Sequence, residues 1–335
     1  MKNRLIKIEK EEANIGGVSF LCYNILVKVG EIMKNARLGF VILHYQAIKE
    51  TISCIQSIIQ RIDTKNYEIV VVDNGSPNCS GEKLKRKYEK DRKVHVILTG
   101  NNLGFSAGNN VGFQYAKEQL GCDFICMTNN DTEIIQDDFF QVIIKEYENS
   151  HFAVLGPEIY LEDGSICEYP KTILKLNEIE QDRQRVKRLI IKNKLFIESI
   201  HLTLYKYISQ LIQWKKIRHH FRDVKAADPR MEKVRLHGCC MVFSPIYIEK
   251  FDGLEVRTHF YGEEDILFVR LVRNHMKSVY LPELKIFHHE EAATSLRMGR
   301  DYKKRRFIYE THLETLDMLE KMYREDLDSL KDYIY

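Results

Sequence analysis

The sequence predicts an α/β fold: a mostly parallel central sheet flanked by helices, with a helical insertion and a C-terminal helix. Three observations carry that prediction. From Leu38 onward, strand-like apolar runs alternate with stretches of helical periodicity in the order β-α-β-α-β, which implies a parallel sheet joined by right-handed crossovers. The runs end abruptly in polar clusters, as buried strands do when they deliver side chains to a sheet edge. Further on, Lys171 to Lys225 holds 14 Lys or Arg against 5 Asp or Glu and neither glycine nor proline, which reads as one or two inserted helices.

Residues 1–37 read as an N-terminal extension, charged and then mildly apolar, with no recognisable chemistry. The first strand is LGFVILHYQ from Leu38. A helix follows over Ile48 to Arg61, with Ile48, Ile52, Ile55, Ile58, Ile59 and Ile62 assigned to one face. The second strand, Tyr67 to Val72, is nearly all β-branched and ends in Asp73-Asn74-Gly75-Ser76. Ser80 to Asp91 reads as a charged helix and Val94 to Leu98 as the third strand.

In the next loop, Gly100, Gly104, Gly108 and Gly112 allow tight turns and close backbone approach before a helix expected from about Asn110 to Gln119. Backbone amides at that helix start suit an anion. The dinucleotide fingerprint GxGxxG does not occur there, and the loop follows a third strand rather than a first. The fourth strand, Phe124-Ile125-Cys126-Met127, ends in Thr128-Asn129-Asn130-Asp131-Thr132. A carboxylate at such a strand end suits a divalent cation carrying a phosphate; the plain alternative is an Asn/Asp turn.

Composition bounds the rest. A chain of 335 residues, 44% hydrophobic and 30% charged, can bury one large core or two smaller ones. A net charge of +3 implies neither a nucleic-acid partner nor an acidic substrate. The eight cysteines contain no CxxC pair and several lie in apolar runs, the pattern of reduced, buried thiols in a cytoplasmic protein. No run reaches the roughly 18 uncharged apolar residues of a membrane span, and the N-terminus lacks a signal peptide's order of regions.

The series VILHYQ, VVVDNGS, NNLGFSAGNNVGF and MTNNDT, followed by RLHGCCMVFSP, HFYGEEDILFVRL and IFHHEEAATS, resembles a family 2 glycosyltransferase of the GT-A (nucleotide-diphospho-sugar transferase) fold. The rhamnosyltransferase-like branch is the most similar. The resemblance spans about residues 38 to 297. It implies a GT-A domain over 38–300, with 171–230 as a basic helical insertion and 301–335 as a C-terminal helical segment. It also implies a nucleotide-diphosphate sugar donor, a divalent cation (Mg or Mn), and inversion at the anomeric carbon. The acceptor hydroxyl would belong to a bacterial-type polysaccharide or lipid-linked glycan.

Carried over residue by residue, the resemblance places His44 and Tyr45 near the base and Asp73 on the base or ribose. Asn102, Gly104 and Asn109 match the loop bordering the nucleotide. Asn129-Asn130-Asp131 stands where the family has its DxD motif, with a carboxylate only at the third position. Asp131 is therefore the expected cation ligand, with His288 beside it and Asn129 and Asn130 near the donor. Gly238 matches a small residue that lets sugar and backbone approach. The catalytic base is Glu264 or Asp265: matching Arg270 to the arginine that follows the family's acidic pair selects Glu264, whereas residue identity selects Asp265. The spacing match favours Glu264.

The stretch 171–225 has two readings. One is a basic amphipathic surface for anionic lipid, placing the protein at the inner face of a membrane near a lipid-linked acceptor. The other is a helical pair packing on its own domain or on a twin subunit. Lys303 to Arg306 reads as a solvated face, with reception of the diphosphate as the alternative, and Tyr309 to Tyr323 as an amphipathic helix against the catalytic domain. A non-catalytic glycan- or nucleotide-binding relative is the alternative to an enzyme. A nucleotidyltransferase is disfavoured, because HYQAIKE is not a Gly-rich, basic loop after the first strand.

Overall fold

The computed structural model describes residues 35–169, 171–196, 228–258, 261–289 and 302–334. The chain divides into two compact units, Met1–Ala36 and Arg37–Tyr335, and the elements that follow belong to the second. Most of the N-terminal extension, and residues 197–227 of the insertion, lie outside the described residues.

Strands β1 (Leu38–His44), β2 (Tyr67–Asp73) and β3 (Val94–Leu98) alternate with helices α1 (Ile48–Arg61) and α2 (Ser80–Tyr88). Helix α3 (Phe105–Gln114) continues through a wider turn, Tyr115–Gln119, before β4 (Phe124–Asn129) and β5 (Thr132–Ile134). Then come α4 (Phe139–Ser150), β6 (Val154–Tyr160), α5 (Leu176–Lys194), β7 (Met231–Glu232), β8 (Cys240–Phe243) and α6 (Pro245–Lys250). The chain closes with α7 (Glu263–Arg273), β9 (Ser278–His288), α8 (Tyr302–Glu325) and α9 (Leu327–Ile334).

The strands form one sheet in the order β3-β2-β1-β4-β8-β6-β9-β5, with β7 on the edge of β9. β1 pairs in parallel with β2 and with β4, in a register that sets His44 opposite Asp73 and Leu43 opposite Asn129. β8 runs antiparallel to β4, Thr128 facing Cys240, and the far end of β9 pairs with β5, His288 facing Thr132. Parallel strands in register end together, so the polar residues closing β1, β2 and β4 share one edge of the sheet.

β1 is buried along both faces because helices cover both, which is why it reads as an unbroken apolar run. On one side Val41, Val72, Phe113, Met127, Phe243 and Tyr247 belong to a single cluster. On the other, Phe40 meets Phe139 and Phe124 meets Tyr147, with ring centroids 6.1 and 5.2 Å apart. The buried stripe of α1 is Thr51, Cys54, Ile55 and Ile58, at i, i+3, i+4 and i+7. Ile59, assigned to that face from the sequence, is 41% exposed: it stands 100° round from Ile58.

Helix α3 begins at Phe105, five residues before the expected Asn110. Gly104, at φ 85°, turns the chain into it. Two glycines read as turn formers lie inside this helix. A Cβ on Gly112 would come within 2.5 Å of Val41 Cγ1, and one on Gly108 within 2.8 Å of Leu43 Cδ1. Their function is close packing of α3 on the sheet.

A second apolar cluster joins Ile179 of α5, Ile266, Phe268 and Val269 of α7, and Leu316, Leu319 and Met322 of α8. The C-terminal helix is longer than Tyr309 to Tyr323, and Arg305, expected on a solvated face, is 6% exposed. Of the seven described cysteines all are free thiols and six are buried; Cys79 is exposed, against expectation, at the entry to α2. No helix among the described residues is long and apolar enough to cross a membrane.

Gly112→Ala is expected to lower stability by about 1–3 kcal/mol, because α3 must lift off Val41 and Val72. A urea midpoint unchanged from the parent would show that the helix can shift without cost.

Candidate active site

At the end of β1, His44 is fully buried. Its Nδ1 lies 2.7 Å from Thr51 Oγ1 and its Nε2 2.7 Å from Ser80 Oγ. Thr51 donates its own proton to the Ala47 carbonyl and accepts from Asn130 Nδ2, which assigns the His44 proton to Nδ1. Burial lowers the His44 pKa below its ordinary 6.5, against the pull of Asp73 and Glu50. His44, expected near a base, presents its ring to Thr51 and Ser80. It has no open edge, and it ties β1 to the starts of α1 and α2. Tyr45, the next residue, is 44% exposed at the rim.

Asp73 closes β2 and is 4% exposed. Its Oδ2 accepts from Ser76 N at 3.3 Å, while Oδ1 has no hydrogen-bond donor and sits 3.8 Å from His44 Nε2. The carboxylate fits only because residue 81 is glycine: a Cβ there would lie 2.3 Å from Asp73 Cγ. Asn74 organises the neighbouring loop, its Nδ2 donating to Gly104 O at 3.0 Å and its Oδ1 accepting from Leu103 N at 2.8 Å. Asn102 Oδ1 accepts from Gly104 N at 2.9 Å. Asn109 is buried within α3, where its Nδ2 donates to Phe105 O, so it shapes the helix start rather than lining open space.

At the end of β4, Asn129 N donates to Cys239 O at 2.8 Å. Asn130 turns its amide to Thr51 Oγ1, 3.0 Å, and the Ala47 carbonyl, 3.3 Å, so its Nδ2 faces the start of α1. Asp131 is 3% exposed. Its Oδ1 is 3.3 Å from His288 Nε2 but is not in hydrogen-bonding geometry with it, leaving that oxygen without a donor. The pairing of β5 with β9 makes this approach possible, since His289 N donates to the Asp131 carbonyl at 2.9 Å.

The two acids at the start of α7 are held differently. Asp265 accepts a fork from Arg235, Nε to Oδ1 at 3.2 Å and Nη2 to Oδ2 at 3.3 Å. Burial raises its pKa, opposed by Arg235 and reinforced by the charge of Glu264. Glu264 is more open: Oε1 accepts from Gly238 N at 3.2 Å, and Oε2 lies 3.5 Å from Arg235 Nη2. A Cβ on Gly238 would be 2.7 Å from Glu264 Oε1. Glu264 thus lies against the Gly238 backbone, on the side where a Cβ would stand.

Two residues not singled out from the sequence belong to this constellation. Arg235 bridges both acids. His237 accepts at Nδ1 from Cys239 N, 3.1 Å, and its ring lies 6.1 Å from that of His288. Burial pushes the His237 pKa down to about 4, with Glu264 opposing and His288, Arg235 and Lys171 reinforcing. The available signal was the pair of cationic or titratable residues flanking Leu236 immediately ahead of an apolar strand. Arg270, the spacing marker, instead clamps the Gly253 carbonyl, Tyr247 Oη and Glu255.

The family model for "Glycosyl transferase family 2" matches residues 40–209, half of the chain. The chain belongs to that family. Among similar proteins, the low-salt glycan biosynthesis hexosyltransferase Agl10 of Haloferax volcanii is 28% identical over 245 residues, 73% of this chain and 64% of that protein. The glycosyltransferase GlyG of Streptococcus pneumoniae is 25% identical over 121 residues, 36% of this chain and 38% of that protein. The chain thus spans less than two thirds of the length of either relative. GalNAc-T7, solved with UDP, GalNAc and Mn2+, superposes with a TM-score of 0.51 at 14% identity, covering 76% of this chain and 44% of that one. The fold is GT-A.

Because the folded pKa of His44 is depressed, the unfolded chain takes up a proton that the folded one resists as the pH falls below about 6.5. Stability from this residue is complete above that value and is lost on acidification. The difference in urea midpoint between pH 7.5 and 5.5 is expected to shrink in His44→Gln; an unchanged difference would refute the assignment.

Proposed function

We propose that this family 2 chain transfers a sugar from a nucleotide-diphosphate donor to an acceptor hydroxyl, with inversion at the anomeric carbon. One observation carries the reading: a short chain of contacts joins a prospective cation site to a prospective base. Asp131 lies 3.3 Å from His288, the His288 ring faces His237, and Gly238 donates to Glu264. Asn129 and Cys239 close the same circuit through a backbone hydrogen bond.

Asp131 and His288 fit a divalent cation. A buried carboxylate oxygen with no hydrogen-bond donor stands beside an imidazole nitrogen, an O/N donor set suited to Mg or Mn. Among the described residues no group of three or more His, Cys, Asp or Glu side chains is arranged to hold a metal. Donor phosphate and water would complete the coordination. When bound, the cation supplies positive charge against the leaving diphosphate.

Glu264 accepts the acceptor hydroxyl's proton as that oxygen attacks the anomeric carbon opposite the departing nucleoside diphosphate. The Gly238 amide and Arg235 orient the carboxylate. Asp265, forked by Arg235, fixes the guanidinium in place. Asp73, with its undonated Oδ1, is placed to accept from the base or ribose, and exposed Tyr45 to cover the base. Asn102 and Gly104 shape the loop beside them.

The names of the relatives support the substrate class. Agl10 is described as a hexosyltransferase of glycan biosynthesis, and GalNAc-T7 was solved with a nucleoside diphosphate and Mn2+. We assign the acceptor to a surface polysaccharide or lipid-linked glycan.

A panel of nucleotide sugars assayed with Mg or Mn tests the reading. Asp131→Ala is expected to abolish transfer together with its dependence on added cation; full activity would remove Asp131 from the cation site. Glu264→Gln is expected to lower turnover about 10²–10⁴-fold with donor affinity kept, and Asp265→Asn to lower it less. The reverse order would assign the base to Asp265. Tight donor binding without transfer to any acceptor would favour a non-catalytic binding relative.

A further inference from the structure

Helix α5 lies antiparallel along α8, forming a hairpin with a base and a tip. The base belongs to the apolar cluster shared with α7 and is pinned by Arg183 to Glu180, Asp317 and Glu320, and by His312 Nε2 to Asp182 Oδ2 at 2.7 Å. Towards the tip, Arg306 donates to Asn193 Oδ1 at 3.3 Å and the Phe196 ring lies 5.0 Å from that of Tyr302. The 19 residues of α5 extend about 28 Å, so the tip stands well away from the cluster on α7.

The tip is apolar where a soluble helix end would be polar. Leu195, Ile191 and Phe307 are 61%, 57% and 52% exposed, three of the four most exposed large apolar side chains among the described residues, and Phe196 is 48% exposed. Packing on α8 does not need Ile191 or Leu195, and Phe196, though it meets Tyr302, stays half exposed. The inward stripe of α5 is Ile179, Val186, Ile190 and Asn193, and Ile191 and Leu195 fall on a separate stripe one residue round.

That second stripe is positively charged behind its apolar end. Lys187 and Arg188 precede Ile191 by one turn, and Lys192 and Lys194 flank Leu195; all four are exposed and make no ion pair among the described residues. Arg185 is paired with Asp182. No acid occurs between Asp182 and the end of the helix, and on α8 the first acid, Glu310, lies a turn beyond Arg306. An apolar end that can enter an acyl boundary, collared by cations on long stems that reach headgroup phosphates, fits an anionic bilayer surface. A protein partner would fit the apolar end but not explain an unpaired collar of one sign.

We infer that the tip of the α5/α8 hairpin is a docking surface for an anionic phospholipid membrane. This is independent of the transfer reaction proposed above, because none of its residues touches the candidate active site.

The test is co-sedimentation of the full chain with vesicles of phosphatidylcholine alone or with about one third phosphatidylglycerol. Wild type is expected to pellet with the anionic vesicles, more weakly as salt rises, and not with the neutral ones. K187Q/R188Q/K192Q/K194Q, at about 1 kcal/mol per cation, is expected to weaken that binding on the order of 1,000-fold, and I191S/L195S/F196S to weaken it at both low and high salt. All seven positions are exposed, and an unchanged thermal midpoint checks folding in each variant. Failure of wild type to bind anionic vesicles overturns the inference. So does binding unchanged in both variants, which would move the contact to another segment. A dimer dispersed by the apolar triple variant, with no vesicle binding, would assign the tip to a second copy instead.

Discussion

The parallel pairing of β1 with β2 on one side and β4 on the other is the constraint on which the site depends. It fixes His44 opposite Asp73 and Leu43 opposite Asn129, and a slip of one residue would send alternate side chains into the opposite helix layer. Burial on both faces enforces the register, since Val41, Val72 and Met127 pack in one layer while Phe40 and Phe124 pack in the other. Within this frame Gly112 and Gly108 bring α3 down to the sheet, and Gly81 makes room for the Asp73 carboxylate. The edge is polar because the strands end there together, not because any one loop is specialised.

Charge at that edge is handled by two different means. At the ends of β1 and β2, neutral His44 absorbs two hydroxyls and lies near Asp73, so burial of a titratable pair is relieved by leaving the imidazole uncharged. At the start of α7, two adjacent acids are tolerated because Arg235 spans them. A guanidinium holds its charge throughout the accessible pH range and matches a carboxylate with two donors. Removing it would leave Asp265 and Glu264 facing each other at the start of α7 with no cation between them. The difference in their environments follows: Asp265 is committed to the fork, whereas Glu264 keeps a partly open carboxylate.

Much of this was legible in the chain. The strands from Leu38 and Tyr67, the third strand, and the helices at Ile48 and Ser80 were readable because their periodicity is local. The approach of His288 to Asp131 was expected from an ordered series of motifs, and the structure sets the two 3.3 Å apart. The burial of His44 was not legible: an aromatic at a strand end carries no local mark of being sealed beneath Thr51 and Ser80, which come from two other helices. The contact of Glu264 with Gly238 was not legible either, because that side chain comes from 26 residues downstream. Arg235 and His237 were passed over for the same reason, since their partners are brought by α7 and β9.

The sequence by itself determined the α/β class, the order of elements and the identity of the acids available, because apolar periodicity and strand-end polarity are properties of neighbouring residues. The tertiary structure alone decided which acid stays open, which histidine stays neutral and which glycines serve packing. Those outcomes depend on burial and on partners supplied by distant segments, and desolvation and hydrogen bonding act only once those segments have met.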